Sequence, residues 1–143
     1  MKLRIEETIA TPVKQVFETL SNINISGIQK VEILSDTTEG EGHRWRETRE
    51  MFGKEATEDM EITHYNPPLG YHVQASSHGM RYVTVMTFSE DGAEKTKVTQ
   101  EYHATPLTLV AKLMSPLMVA FKGSLRKALL KDLLEVKDHL EGG

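Results

Sequence analysis

From Ile28 to Ala104 apolar and polar residues alternate with a period of two, and turn residues cut the alternation into six short pieces. The pieces are 28–37, 43–51, 54–65, 70–77, 80–89 and 95–104. Between them stand Glu39-Gly40-Glu41-Gly42, Phe52-Gly53, Asn66-Pro67-Pro68-Leu69-Gly70, His78-Gly79 and Asp91-Gly92. Period two is the mark of a half-buried strand, and Gly, Pro, Asn and Asp clusters mark its ends. Gaps this short cannot hold the crossover a parallel pair needs, so consecutive strands must be antiparallel hairpins. Residues 2–10 add a seventh strand, with Leu3, Ile5 and Ile9 on one side and Lys2, Arg4, Glu6 and Thr8 on the other.

A sheet with one apolar face needs a cover, and the C-terminal third supplies one. Leu109, Leu113, Leu117, Phe121, Leu125, Leu129, Leu133, Val136 and Leu140 recur at steps of three and four, with Val110, Met114 and Met118 as a second row. That spacing puts them on one helix face. Ser115-Pro116 interrupts the pattern and reads equally as an N-cap followed by a first helical residue. The expectation is a short helix over 107–114, a kink or break, and a main helix over 116–140, about 37 Å long. Thr11-Pro12 should cap a short helix buried through Val13, Val16, Phe17 and Leu20, followed by a polar break over Asn22–Gly27 that has room for one more helical turn. The fold class expected is therefore α+β: a seven-stranded curved antiparallel sheet wrapped around a long C-terminal helix, with one or two short helices between strands 1 and 2.

With 143 residues the default is one domain over 1–143. The formal charge of −4 comes without an evident basic stripe or tail, so neither nucleic acid nor an anionic membrane is expected as the main partner. Cysteine is absent, which removes disulfides, thiol catalysis and Cys-based zinc sites and suits a reducing cytosol. The opening residues carry charge where a signal peptide needs an apolar run, and no stretch approaches the ~18 apolar residues of a membrane span. A cytoplasmic protein without integral membrane contact is expected, and homodimerisation is left open.

Alternation assigns faces. Trp45, Glu47, Arg49 and Met51 should share the concave side with Ala56, Glu58, Met60, Ile62 and His64, then Tyr71, Val73 and Ala75, and finally Val98, Gln100 and Tyr102. For strand 80–89 both faces carry apolar residues; Tyr82, Thr84, Met86 and Phe88 are assigned inward. This set is polar for a core. Unpaired buried carboxylates cost several kcal/mol, so either the groups pair or the space under the helix is hydrated. A hydrated, partly apolar hollow has the makings of a ligand pocket.

Four motifs carry a family resemblance: Gly42-His43-Arg44-Trp45-Arg46-Glu47-Thr48-Arg49, then Tyr65-Asn66-Pro67-Pro68, then Lys95-Thr96-Lys97-Val98-Thr99, and last Leu113-Met114-Ser115-Pro116-Leu117-Met118 with Leu129-Leu130-Lys131-Asp132-Leu133. In this order and spacing the chain resembles the START-like superfamily (SRPBCC), which includes polyketide cyclases/dehydrases and lipid-transport proteins and has the helix-grip fold. The resemblance implies a sheet gripping the C-terminal helix with a cavity between them. It does not choose a chemistry, because carriers, cyclases, hydrolases and chaperone activators share the scaffold. The hairpin Glu90–Thr96 lacks the Gly-Thr pair usual in the family.

The residues expected to touch a ligand are Trp45, Glu47, Arg49, Glu58, Met60, Tyr71, Tyr82, Thr84, Gln100, Tyr102, Met114, Met118 and Phe121. Glu47, Arg49 and Glu58 read either as contacts for a polar ligand group or as an ion-pair network that satisfies itself. Glu58, Glu47 and His64 are the candidates for proton transfer, without a strong catalytic motif behind them. No Gly-x-Ser-x-Gly or glycine-rich phosphate loop occurs, and the six histidines lack metal-ligand spacing, so no metal and no cofactor are expected. The reading is a binding protein for a hydrophobic or aromatic small molecule. A cyclase or dehydratase using the cavity carboxylates is the enzymatic alternative, and an interaction module docking through the acidic outer set Glu55, Asp59 and Glu61 is the third.

Overall fold

A computed structural model describes residues 2–21, 28–36, 40–51, 54–77, 79–120 and 122–142; the side chains at 28, 29, 49–51, 54, 56, 77, 115 and 118 lie outside that description. The strands are β1 (Lys2–Ile9), β2 (Ile28–Ile33), β3 (Arg44–Met51), β4 (Lys54–Asn66), β5 (Gly70–Ser77), β6 (Met80–Glu90) and β7 (Thr96–Pro106). Helix α1 (Val13–Leu20) follows β1, and α2 (Leu109–Ala120) and α3 (Lys122–Glu141) close the chain. All seven strands form one antiparallel sheet in the order β1-β7-β6-β5-β4-β3-β2. The short gaps make β2 to β7 a meander. β1 pairs with β7, so the first strand closes the far edge, from Lys2 opposite His103 to Ile9 opposite Thr96.

Three expectations about the helices need correction. Thr11 does not cap α1: the N-cap is Pro12, without a side-chain cap bond, and its carbonyl accepts from Gln15 and Val16 N–H. Thr11 is instead buried, its carbonyl accepting a 2.8 Å bond from the Thr96 hydroxyl. Pro116 does not break the helix but lies inside α2. The apolar stripe is not buried along its whole length. Leu125, Leu133 and Val136 of α3 are buried, whereas Leu109, Val110, Leu113, Met114 and Leu117 of α2 are exposed. α2 seats on the sheet through its small residue, Ala111, packed with Met80 and Ala104. β2 is also shorter than the expected 28–37, and Asn22–Gly27 lies outside the described residues.

The main core joins Ile5 and Ile9 of β1, Val16, Phe17 and Leu20 of α1, Met86, Phe88 and Val98 of the central strands, and Leu133 and Val136 of α3. Phe17 is its aromatic hub, with ring centroids 5.4, 5.8 and 5.5 Å from Tyr65, Tyr71 and Phe88. Glu7 falls on the inward side of β1 and is matched there by α3: Lys137 Nζ donates to Glu7 Oε1 at 2.9 Å. This bond draws the Glu7 carboxyl below its ordinary range and raises the Lys137 ammonium. With Arg126 Nη1, which donates to the Arg4 carbonyl at 2.9 Å, these contacts hold α3 along β1.

Candidate functional site

Under α3 the sheet is hollow, and a cavity of about 210 Å³ remains. The pairing register builds its floor in rows. One row runs Trp45, Met60, Ala75, Tyr82 and Ala104 across five strands; the next runs Ile62, Val73, Thr84 and Tyr102. A third runs Tyr71, Met86 and Gln100. Glu47 lies directly opposite Glu58, so the β3–β4 hairpin delivers two carboxylates to the same wall. The roof is α3, through Leu125, Leu129, Asp132, Leu133 and Val136, and the end of α1 adds Leu20 and Ser21.

Of the residues expected at a ligand site, Trp45, Glu47, Glu58, Met60, Tyr71, Tyr82, Thr84, Gln100 and Tyr102 line this one cavity. Two do not stand where they were expected. Met114 is exposed on α2, about half of its surface open to solvent, and does not line the cavity. His64 is exposed on the convex face. A bulge between Ile62 and His64 inserts one residue, so Ile62 and then Tyr65 point inward and His64 does not. Its ring lies 4.5 Å from that of His72, out of reach of Glu58's side of the sheet. Arg49, Met118 and Phe121 fall on side chains or residues outside the described set.

Asp132 is the polar lining residue that the sequence reading missed. Its signal was available: it stands three residues after Leu129, seven after Leu125 and four before Val136, in the middle of the α3 stripe. A carboxylate at the centre of an apolar helix face has no reason to be there unless something polar lies opposite.

The polar groups differ in what they offer. Tyr71 is buried and its hydroxyl already donates to the Leu20 carbonyl at 2.8 Å, tying the cavity floor to α1. Burial pushes its phenol well above the usual range. Tyr82 and Tyr102 stack at 5.8 Å, and both phenols are raised, first by burial, with the nearby Glu58 carboxylate adding to the effect. Both therefore stay protonated at neutral pH. Trp45 stacks on buried His43 at 4.8 Å, and its buried Nε1 finds no partner among the described residues, a cost of about 1–3 kcal/mol carried beside the cavity. Among the described lining residues, three are carboxylates and none is Lys, Arg or His. The opposite face of the sheet carries ordinary solvated pairs, such as Arg46 Nε to Asp59 at 2.7 Å.

The comparisons agree with this geometry at the level of fold and family. The family model described as polyketide cyclase / dehydrase and lipid transport matches residues 1–135. The sequence matches none of the curated proteins. Among solved structures, TTHA0849 from Thermus thermophilus is similar at 19% identity and a TM-score of 0.72, over 96% of this chain and 97% of that one. The Zhui aromatase/cyclase from Streptomyces sp. R1128 is similar at 16% identity and a TM-score of 0.72, over 96% and 94%. A START superfamily protein from Mycobacterium smegmatis gives 10% identity and a TM-score of 0.63, over 91% and 97%. A gripped helix over a hollow sheet and a family match over nearly the whole length lead to one conclusion: the chain belongs to the polyketide cyclase / dehydrase and lipid transport family.

Proposed function

We propose that residues 1–143 form one binding domain whose cavity takes a small aromatic or otherwise apolar molecule bearing hydrogen-bond donors, in a reducing cytosol. The observation that carries the reading is the lining itself. Apolar walls of Leu, Ile, Val and Met surround carboxylates at Glu47, Glu58 and Asp132, an amide at Gln100 and the Tyr82 and Tyr102 hydroxyls. Apolar walls with a few convergent polar groups are the usual make-up of a ligand pocket. The carboxylate and amide oxygens favour a ligand that presents O–H or N–H groups over one that presents a carboxylate, such as a fatty acid. A volume near 210 Å³ is below the usual range of roughly 300–1,000 Å³, so the enclosed part of the ligand is one or two rings in size.

The test is thermal unfolding of the pure protein against phenols, quinones, flavonoids, polyketide-like polyphenols and fatty acids. A ligand that binds only the folded state raises stability by about 2.7 kcal/mol at a hundredfold excess over its dissociation constant. Stabilisation by the donor-bearing aromatics and none by fatty acids is expected; no stabilisation by any of them would overturn the reading.

One observation favours an enzymatic second reading, a cyclase or dehydratase. Glu58 lies close enough to Tyr82 and Tyr102 to raise both phenols. A carboxylate beside protonated phenols can take a proton from an enolisable carbon while a phenol donates to the developing oxyanion. Glu58→Gln distinguishes the two: a carrier keeps its affinity, whereas an enzyme keeps binding and loses turnover on the order of 100-fold or more.

A further inference from the structure

Much of the apolar stripe of α2 stands open to solvent. Leu109, Val110 and Leu113 are each more than 70% exposed, at 73%, 71% and 72%, and Met114 and Leu117 are half exposed. At 100° per residue these five positions share one arc, turned away from Ala111, which seats the helix. A soluble protein seldom leaves an apolar face of several hundred Å² uncovered. The charges nearby have one sign. Between residues 107 and 131 stand Lys112, Lys122, Arg126, Lys127 and Lys131, all exposed, and no Asp or Glu, in a chain whose net charge is −4. The net charge thus hides a local basic segment. Carboxylates lie elsewhere, among them Glu32, Asp59 and Glu101 on the convex face of the sheet, where Arg46 pairs with the first two.

We propose that α2 is a docking helix for the surface of a bilayer containing anionic lipid. An exposed apolar helix face flanked by cations is complementary to such a surface on both counts, acyl boundary and headgroup charge. The 12 residues of α2 span about 18 Å, short of a hydrocarbon core of roughly 30 Å, so the helix lies along the interface and does not cross it. No helix among the described residues is long and apolar enough to cross. A second copy of the chain fits less well, because a symmetric contact through α2 would set the same lysines against each other. A protein partner is disfavoured by the absence of any aromatic residue between 107 and 120, since aromatic anchors carry most protein interfaces. This proposal does not depend on what the cavity binds.

The experiment is flotation of the full chain with vesicles of phosphatidylcholine alone and of phosphatidylcholine with one-third phosphatidylglycerol, at low and physiological salt. The protein should float with the anionic vesicles, and salt should weaken binding. Lys112→Gln/Lys122→Gln/Lys127→Gln should lower the partition coefficient by on the order of 100-fold, at about fivefold per charge. Leu113→Glu/Leu117→Glu should lower it at least tenfold. Both variants replace exposed side chains, and unchanged far-UV circular dichroism and melting temperature establish that they fold. No flotation with anionic vesicles, flotation indifferent to both variants, or a stable dimer that Leu113→Glu/Leu117→Glu dissolves would each overturn the proposal.

Discussion

Leu133→Ala tests whether α3 presents the face described. Leu133 is 2% exposed and sits in the main core while also forming part of the cavity roof. The change removes three carbons, which at roughly 0.8 kcal/mol each loses about 2.4 kcal/mol of burial. Leu→Ala changes in closed cores cost about 2–5 kcal/mol because a void is added to the transfer loss. Here one side of Leu133 already borders a hollow that water can enter, so the void contribution is small and the low end, about 2–3 kcal/mol, is expected. Over 143 residues the entropy of unfolding is about 0.3 kcal/mol/K, so the melting temperature should fall by roughly 7–10 °C. Leu134→Ala, at a position 37% exposed, should cost under about 1 kcal/mol. The assay is urea unfolding monitored by circular dichroism, with thermal melts alongside. A loss below about 1 kcal/mol for Leu133→Ala, or a larger loss for Leu134→Ala, would mean that α3 is rotated and that its roof residues are wrongly named.

Lys137→Ala should remove the link between α3 and β1 at a cost of about 0.5 kcal/mol, since both partners are partly exposed. Glu7 has its carboxyl lowered by Lys137, so its contribution is present above the ordinary carboxylate value and is lost as pH falls through the lowered folded value; the wild type should thus lose more stability than Lys137→Ala on acidification. Tyr71→Phe leaves the Leu20 carbonyl without its donor and should cost about 1–2 kcal/mol, measured by the same unfolding curves. In an alkaline ultraviolet titration, Tyr71, Tyr82 and Tyr102 should ionise above the ordinary phenol value, and Tyr82→Phe and Tyr102→Phe should each delete a late step. Gly70→Ala would push a methyl group against the Met86 carbonyl oxygen in the neighbouring strand and should destabilise by about 2 kcal/mol or more.

The sheet was legible because period two and short gaps leave a chain few choices. Trp45, Glu47, Glu58, Met60, Tyr82 and Tyr102 reach one cavity as a direct consequence of alternation on antiparallel neighbours. The errors arise where a local event resets the phase. The bulge after Ile62 inverts every later residue of β4 and carries His64 outside, and nothing in Thr63-His64-Tyr65 announces it. Met114 is half exposed on α2 although its spacing put it on the stripe of Leu125 and Leu133, and Pro116, where a break looked due, lies inside α2. A proline inside a helix costs stability, yet Pro116 sits within α2 and that turn is helical. Asp132 was legible and overlooked, because a stripe read for its apolar members passes over the polar residue among them.

Trp45 makes the proposed occupation of the hollow under α3 by an apolar guest directly measurable. It is the single tryptophan of the chain and part of the cavity wall. Titration with the aromatic ligands that stabilise the protein should change its emission saturably at one equivalent, and Ala75→Phe, which fills the row between Met60 and Tyr82, should abolish the change while leaving the fold intact. Ligands that stabilise the protein without altering Trp45 emission, or whose effect survives Ala75→Phe, would place binding elsewhere and contradict the claim.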